Sequence, residues 1–271
     1  DIHKHYLVAV GVDAEQRQVF GPKKVTWPDF DAWIEQDLTP QDAVAVEMTT
    51  NTWLVHDTLA PRVHAVTVVH PQHVKAIVGA QVKTDKRAAL TLAQLLAAKV
   101  LRGIWVPDPY TRDLRALTAQ RQRMASLGAI AKNRLHAILH RYHVQAPKGT
   151  ELFHPDMRPW WNLLPVSDLE KVRIQSYLDT LAFAHAQRTF LEEHMGKAAA
   201  QDERIPLLVQ IPGVGLVTAI SILAAVGDIR RFPDARHLVG YAGLGARVHD
   251  SGQLHATGRI TKAGRRDLRK A

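Results

Sequence analysis

The sequence predicts an α/β domain followed by an all-α region. Three observations carry that reading. Over the first hundred residues, short β-branched runs alternate with segments of helical spacing. From Tyr110 onward apolar residues fall near a heptad pattern. Beyond residue 200 a Gly-Val-Gly turn separates two helical runs. The expected divisions are 1–109, a helical coiled-coil-like region 110–200 interrupted by a long connection at 144–165, and a C-terminal section 201–271.

In the first section "HYLVAVGV" (5–12) reads as a strand with an alternating face, and "RQVFGPKKVTW" (17–27) as one or two more. "PDFDAWIEQDL" (28–38) has Pro28 and acids in its first turn, which predicts a helix. "DAVAVEM" (42–48) is a short strand of the doubly buried kind. A polar "TTNT" and the helix "TWLVHDTLA" (52–60) follow it. "HAVTVVHP" (64–71) is a further strand, stopped by Pro71. "VKTDKRAALTLAQLL" (82–96) leads from a loop into a helix, and "IWVPDP" (104–109) closes the section. One mixed sheet is expected.

The next helix, 110–142, places Leu114, Leu117, Met124, Ala131, Leu135, Ile138 and Tyr142 on one seam. Its other faces are basic. Residues 144–165 contain four prolines and cannot be one regular element. "SDLEKVRIQSYLDTLAFAHAQRTFLEEHM" (167–195) opens with Ser167 and Glu170 spaced as a capping box. Two long helices joined this way predict an antiparallel pair, or arms that pack on another subunit. "RRFPDARHLVGYAGL" (230–244) adds a helix, and a Gly-rich basic tail follows.

The formal charge is +9, from 35 Lys and Arg against 26 Asp and Glu, which points to a polyanionic partner. With no cysteine, disulfides and Cys-ligated zinc are excluded. No apolar run reaches the roughly 18 residues of a membrane span, and no signal-peptide pattern opens the chain. The chain starts at Asp1 inside what reads as structure, so native residues are expected before it.

Three constellations carry candidate chemistry. Asp1 before the first strand, Glu47 ending a buried strand and Asp85 opening a helix converge on one edge if the sheet forms as expected. Such hard oxygen donors suit Mg²⁺ or Mn²⁺, which can clamp a phosphodiester in transfer. The competing local reading makes Asp85 an ordinary first-turn helix acid. "IPGVG" (211–215) lets backbone N–H groups of Gly213 and Gly215 approach a phosphate, in the manner of a helix-hairpin-helix, or is simply a tight turn. Ser251, before Gly252 in a basic segment, is a candidate nucleophile or an ordinary turn serine. His64, His70, His73, His136, His140 and His143 have metal-like spacings but no acid or cysteine at matching positions. They are read as packed or solvated histidines.

Together these motifs resemble the DEDD transposase family of bacterial insertion sequences, which includes the Piv-type DNA invertases. The carriers are Asp1, "VKTDKRAALTLAQLL", and the block "IPGVG…GDIRRFPDARHLVGYAGLGARVHDSG…GRITKAGRRDLRKA". The resemblance covers nearly the whole chain. It implies a RuvC-like N-terminal domain of RNase H fold, with Asp1, Glu47 and Asp85 as metal-binding acids. The fourth family acid, closing a "TDxxDA" motif, would stand where this chain has Ala88. The copy is then catalytically impaired, either degenerate or altered to trap a complex. The intact remaining motifs favour the second.

The resemblance further implies that Ser251 attacks DNA as a phosphoserine-forming nucleophile, and that a structured noncoding bridge RNA guides target and donor choice. Arg121, Arg123, Lys132, Arg134, Arg247, Arg259, Lys262, Arg265 and Arg266, with Gly213 and Gly215, are the expected nucleic-acid contacts. The expected assembly is a dimer, becoming a tetramer on DNA, in a bacterial cytoplasm at the nucleoid. The alternatives are a RuvC-type junction-resolving endonuclease and a non-enzymatic nucleic-acid-binding architectural protein.

Overall fold

The computed structural model describes residues 1–78, 84–149, 151–251 and 254–271, apart from the side chains of 248–257. It divides into two compact units, Asp1–Val106 and Pro107–Ala271.

In the first unit β1 (Tyr6–Val12) pairs antiparallel with β2 (Gln18–Thr26). Next comes helix α1 (Phe30–Asp37), then β3 (Ala43–Glu47), α2 (Thr52–Leu59) and β4 (Ala65–Val69). β3 and β4 pair in parallel, as the βαβ crossover through α2 requires. α3 (Pro71–Val78) and α4 (Asp85–Ala97) complete the unit. The single mixed sheet expected from the sequence is instead two two-stranded ladders. They are joined by side chains rather than by backbone hydrogen bonds: Leu7, Val25, Ile34, Val46, Val55 and Val68 form one buried cluster, and α4 packs on both β1 and β3. Pro71 ends the strand run as expected but also opens α3, a helix the sequence reading lacked. Proline is well suited to the first helical position because its missing N–H is not needed there.

The second unit is built on α5 (Pro109–Arg141), which Asp108 caps by accepting from the Thr111 N–H at 2.9 Å. The connection that follows holds a short 3₁₀ turn (Pro155–Met157) and α6 (Arg158–Asn162). Trp161 is fully buried there, and its indole N–H donates to Leu152 O at 3.0 Å. α7 (Asp168–Ala198) returns along α5. The contacts run in opposite order along the two helices: Arg141 meets Glu170, Gly128 faces Leu181 and Ala184, and Arg121 meets Glu192. The pair is therefore antiparallel. Ser167 Oγ accepts from the Glu170 N–H at 3.3 Å, but the reciprocal half of the capping box is not made. Glu170 pairs with Arg173 at 2.8 Å instead, because a cation one turn away outcompetes a backbone amide.

α8 (Arg204–Val209) and α9 (Leu216–Val226) flank the Gly-Val-Gly turn, with Gly213 at φ +88°. α9 packs on α5, α7 and α8, so the middle and C-terminal sections of the sequence share a core of Leu114, Met195, Ile205, Ile220 and Leu223. α10 (Ala235–Ala242) follows. The tail is not irregular: β5 (Ala246–Ser251) and β6 (Leu254–Ile260) form an antiparallel hairpin, and α11 (Arg266–Lys270) closes the chain.

Candidate functional site

The first eight residues fold back on themselves. Asp1 exchanges both backbone hydrogen bonds with Val8, at 2.8 Å each, and His3 N–H donates to Tyr6 O at 2.8 Å. Residues i and i+2 of an extended segment share a face. Asp1 and His3 therefore point the same way, and Tyr6 stands opposite His3, with ring centroids 4.7 Å apart. α4 packs across β1 and delivers Asp85 to that face. Thr84 performs the capping of α4, accepting from Arg87 N–H at 3.4 Å. Asp85 is thus a first-turn acid whose carboxylate is free to face the hairpin.

Asp1, His3 and Asp85 bring one ligand atom each within 4.8 Å of one another. His3 Nε2 lies 3.4 Å from Asp1 Oδ2 and 3.3 Å from Asp85 Oδ2. Tyr6 donates its hydroxyl to Asp85 Oδ2 at 3.0 Å, and Lys24 Nζ lies 3.8 Å over the Tyr6 ring. The Tyr6 phenol is raised above its usual range, first by this hydrogen bond and then by desolvation and the Asp85 charge. Glu47 ends β3 half-buried, outside the tight trio. Ala88 is half-buried one turn along α4 from Asp85.

His3 is the site residue that sequence reasoning missed, although the Asp-x-His alternation in an extended segment was its signal. Among the described residues, none of the six histidines considered from spacing joins a metal-ligating cluster. The donor set fits a divalent cation. His3 Nε2 is sealed from solvent and has no hydrogen-bond partner among the described residues, while two carboxylate oxygens stand just beyond it.

The expected nucleic-acid contacts divide by environment. Arg123 and Arg266 line one groove of about 640 Å³ with Arg121, Ser221 and Lys270. It joins the basic helix to the basic tail, stretches more than 130 residues apart in sequence. Arg121 is turned to α7, donating to Glu192 at 2.7 and 2.8 Å. Arg265 is engaged by Asp267. Lys132 lies 5.2 Å over the Phe153 ring. Arg134, Arg247, Arg259 and Lys262 are exposed. A Cβ on Gly213 or Gly215 would meet open space, so the turn before α9 is uncovered within its unit. Ser251 ends β5 at the hairpin turn, pairing with Leu254. Its side chain, with Gly252, lies outside the described residues.

Other arginines are structural. The carbonyls at the end of α9 accept from Arg115 (Ala224 O at 2.6 Å, Ala225 O at 3.0 Å), Arg231 (Val226 O at 3.0 Å) and Arg204 (Gly227 O at 3.1 Å). Cations there oppose the negative end of the helix dipole. Burial, with Arg265 and Arg231 nearby, lowers the Arg115 guanidinium to about 10.

Two family comparisons meet on this architecture. Residues 1–144 match the IS110-type DEDD transposase family, and residues 205–271 match the family described as Transposase IS116/IS110/IS902. The chain belongs to the IS110-type family of DEDD transposases. It is 28% identical over 209 residues to the transposase of insertion sequence element IS1111A from Coxiella burnetii, covering 74% of this chain and 56% of that protein. It is 26% identical over 212 residues to the pilin gene-inverting protein of Moraxella bovis, covering 77% and 58%. The IS1328 transposase of Yersinia enterocolitica is 24% identical over 212 residues, covering 76% and 61%. The chain spans little more than half the length of these curated relatives. Among the described residues, no helix is long and apolar enough to cross a membrane.

Proposed function

We propose that the chain is the recombinase of an insertion sequence, cutting and rejoining DNA with a carboxylate-bound Mg²⁺ or Mn²⁺ and a serine nucleophile. The observation that carries this reading is the meeting of Asp1, His3 and Asp85, residues from opposite ends of the first unit, on one face. Asp1, Asp85 and Glu47 would hold the cation. Bound there, it supplies Lewis-acid polarisation of a phosphodiester oxygen. Tyr6 fixes the rotamer of Asp85 through its hydroxyl. In the N-terminal unit a RuvC-like RNase H arrangement is the parent fold that best accounts for these acids.

Ser251 at the hairpin turn is the nucleophile. Its Oγ bonds to phosphorus, one phosphorus–oxygen bond to the strand breaks, and the departing sugar oxygen takes a proton. Exposed Arg247, Arg259 and Lys262 on and beside the hairpin stabilise charge building on the phosphate. A structured noncoding RNA supplies the sequence choice, while the groove between α5 and α11 holds backbone phosphates. Ala88 lacks the fourth carboxylate and leaves strand cleavage impaired.

The test is a denaturing gel of the Ala88→Asp chain with labelled DNA and the RNA that copurifies. A slow-migrating protein–DNA band that vanishes with Ser251→Ala is expected. A band that survives Ser251→Ala removes the serine from the reading. The second reading is a junction-resolving nuclease, favoured by the acidic site lying wholly within residues 1–106. It yields cut DNA with no covalent band.

A further inference from the structure

We infer that His3 is a direct ligand of the divalent cation, standing in for the carboxylate absent at Ala88, and that it turns the site from Mg²⁺ towards Mn²⁺. This rests on the proposed metal-dependent reading and deepens it. Three observations support it. First, His3 Nε2 is inaccessible to solvent and has no hydrogen-bond partner among the described residues. A buried nitrogen left so is costly unless something binds it. Second, the atoms it does approach are Asp1 Oδ2 at 3.4 Å and Asp85 Oδ2 at 3.3 Å. Adjacent ligands of one octahedral ion stand about 3 Å apart when each bond is about 2.1 Å. Third, the ring is held through its backbone and against one aromatic neighbour. The turn from His3 to Tyr6 sets its backbone, and the Tyr6 ring lies against it at 4.7 Å.

The competing role is a protonated imidazolium bridging two aspartates. That role would give aligned N–H donation to at least one carboxylate, and neither contact has hydrogen-bond geometry. The consequence for selectivity is chemical. Mg²⁺ prefers an all-oxygen shell, whereas an imidazole nitrogen favours transition ions. Losing the oxygen donor at position 88 while keeping His3 changes the balance of the shell in that direction.

The experiment uses the whole chain and Mn²⁺ alone. Pulsed EPR of bound Mn²⁺ is expected to show coupling to a coordinated imidazole ¹⁴N. His3→Ala should abolish that coupling and weaken Mn²⁺ by about tenfold or more, the loss found even for partners one shell out. Mg²⁺ affinity should change much less. His3→Asp should restore an oxygen ligand and bring Mg²⁺ affinity up towards that for Mn²⁺, with circular dichroism reporting that both variants fold. Asp85→Ala should remove the signal and so place the ion. Mn²⁺ bound through Asp85 without nitrogen coupling, and unaffected by His3→Ala, would overturn the inference and leave the metal reading standing. No Mn²⁺ uptake by either this chain or Ala88→Asp would sink the metal reading, and the inference with it.

Discussion

Tyr6 donates its hydroxyl to Asp85 Oδ2 across 3.0 Å, tying β1 to the first turn of α4. The ring also meets His3 and Lys24, contacts that phenylalanine keeps, so removing the hydroxyl alone isolates the value of orienting one carboxylate. Tyr6→Phe should weaken Mn²⁺ binding by about tenfold, as loss of an outer-shell partner does. Titration calorimetry measures it, and unchanged affinity would mean that Asp85 needs no orienting.

The same bond predicts an alkaline signature. The Tyr6 phenol is raised from 10.0, first because its proton is held in the hydrogen bond to Asp85, then by desolvation and the Asp85 charge. A raised acid contributes stability in full below its unfolded value and loses that contribution as the pH climbs through the folded one. Beside Tyr110, whose phenol burial and the Asp202 charge also raise, absorbance of the phenolates should therefore show a late-titrating Tyr6. Asp85→Asn should move it back towards the ordinary range.

Ala88→Asp adds a carboxylate one turn from Asp85, on the same side of α4. Without metal it should lower stability by about 0.5 kcal/mol, the scale of a like-charge helical pair. With Mg²⁺ it should raise the melting temperature, through binding tightened on the order of tenfold by the extra ligand charge. Scanning calorimetry with and without Mg²⁺ reads both effects, and equal Mg²⁺ affinity would count against position 88 as a ligand.

Gly264 crosses beneath the end of α10. A Cβ there would fall 2.3 Å from Tyr241 O and 2.6 Å from Gly243 N, backbone atoms that cannot yield. Gly264→Ala should cost about 1–3 kcal/mol, the range for overpacking. Gly258→Ala, whose Cβ would meet only Arg247 at 3.7 Å or more, should stay within about 0.5 kcal/mol. Urea denaturation of the two variants tests the contrast.

The basic groove separates two kinds of arginine. Arg123→Ala and Arg266→Ala should each weaken RNA and DNA binding and lower the salt slope by about one. Arg121→Ala should instead act on stability, because its partner is Glu192. Binding titrations across salt concentration decide it. Equal slopes for all three variants would erase the distinction.

Much of the architecture was legible from residues 1–200. The β-branched runs at 6–12, 43–47 and 65–69 became strands, because alternation and branching suit a half-buried pleat wherever the chain places them. Ser167 caps its helix through a contact three residues away, which is local and was readable, while the caps at Thr84 and Asp108, equally local, were not read. The acids Asp1 and Asp85 were legible as a motif, and their meeting required only that α4 lie on β1. What sequence could not supply was the partner of each polar group. His3 joins Asp85, 82 positions away, because a two-residue turn aims it. Arg121 faces Glu192 because α7 runs antiparallel to α5. Glu170 leaves its expected cap for Arg173. These choices compare alternatives of nearly equal local energy, and only the tertiary packing, by burying one alternative and exposing the other, breaks the tie.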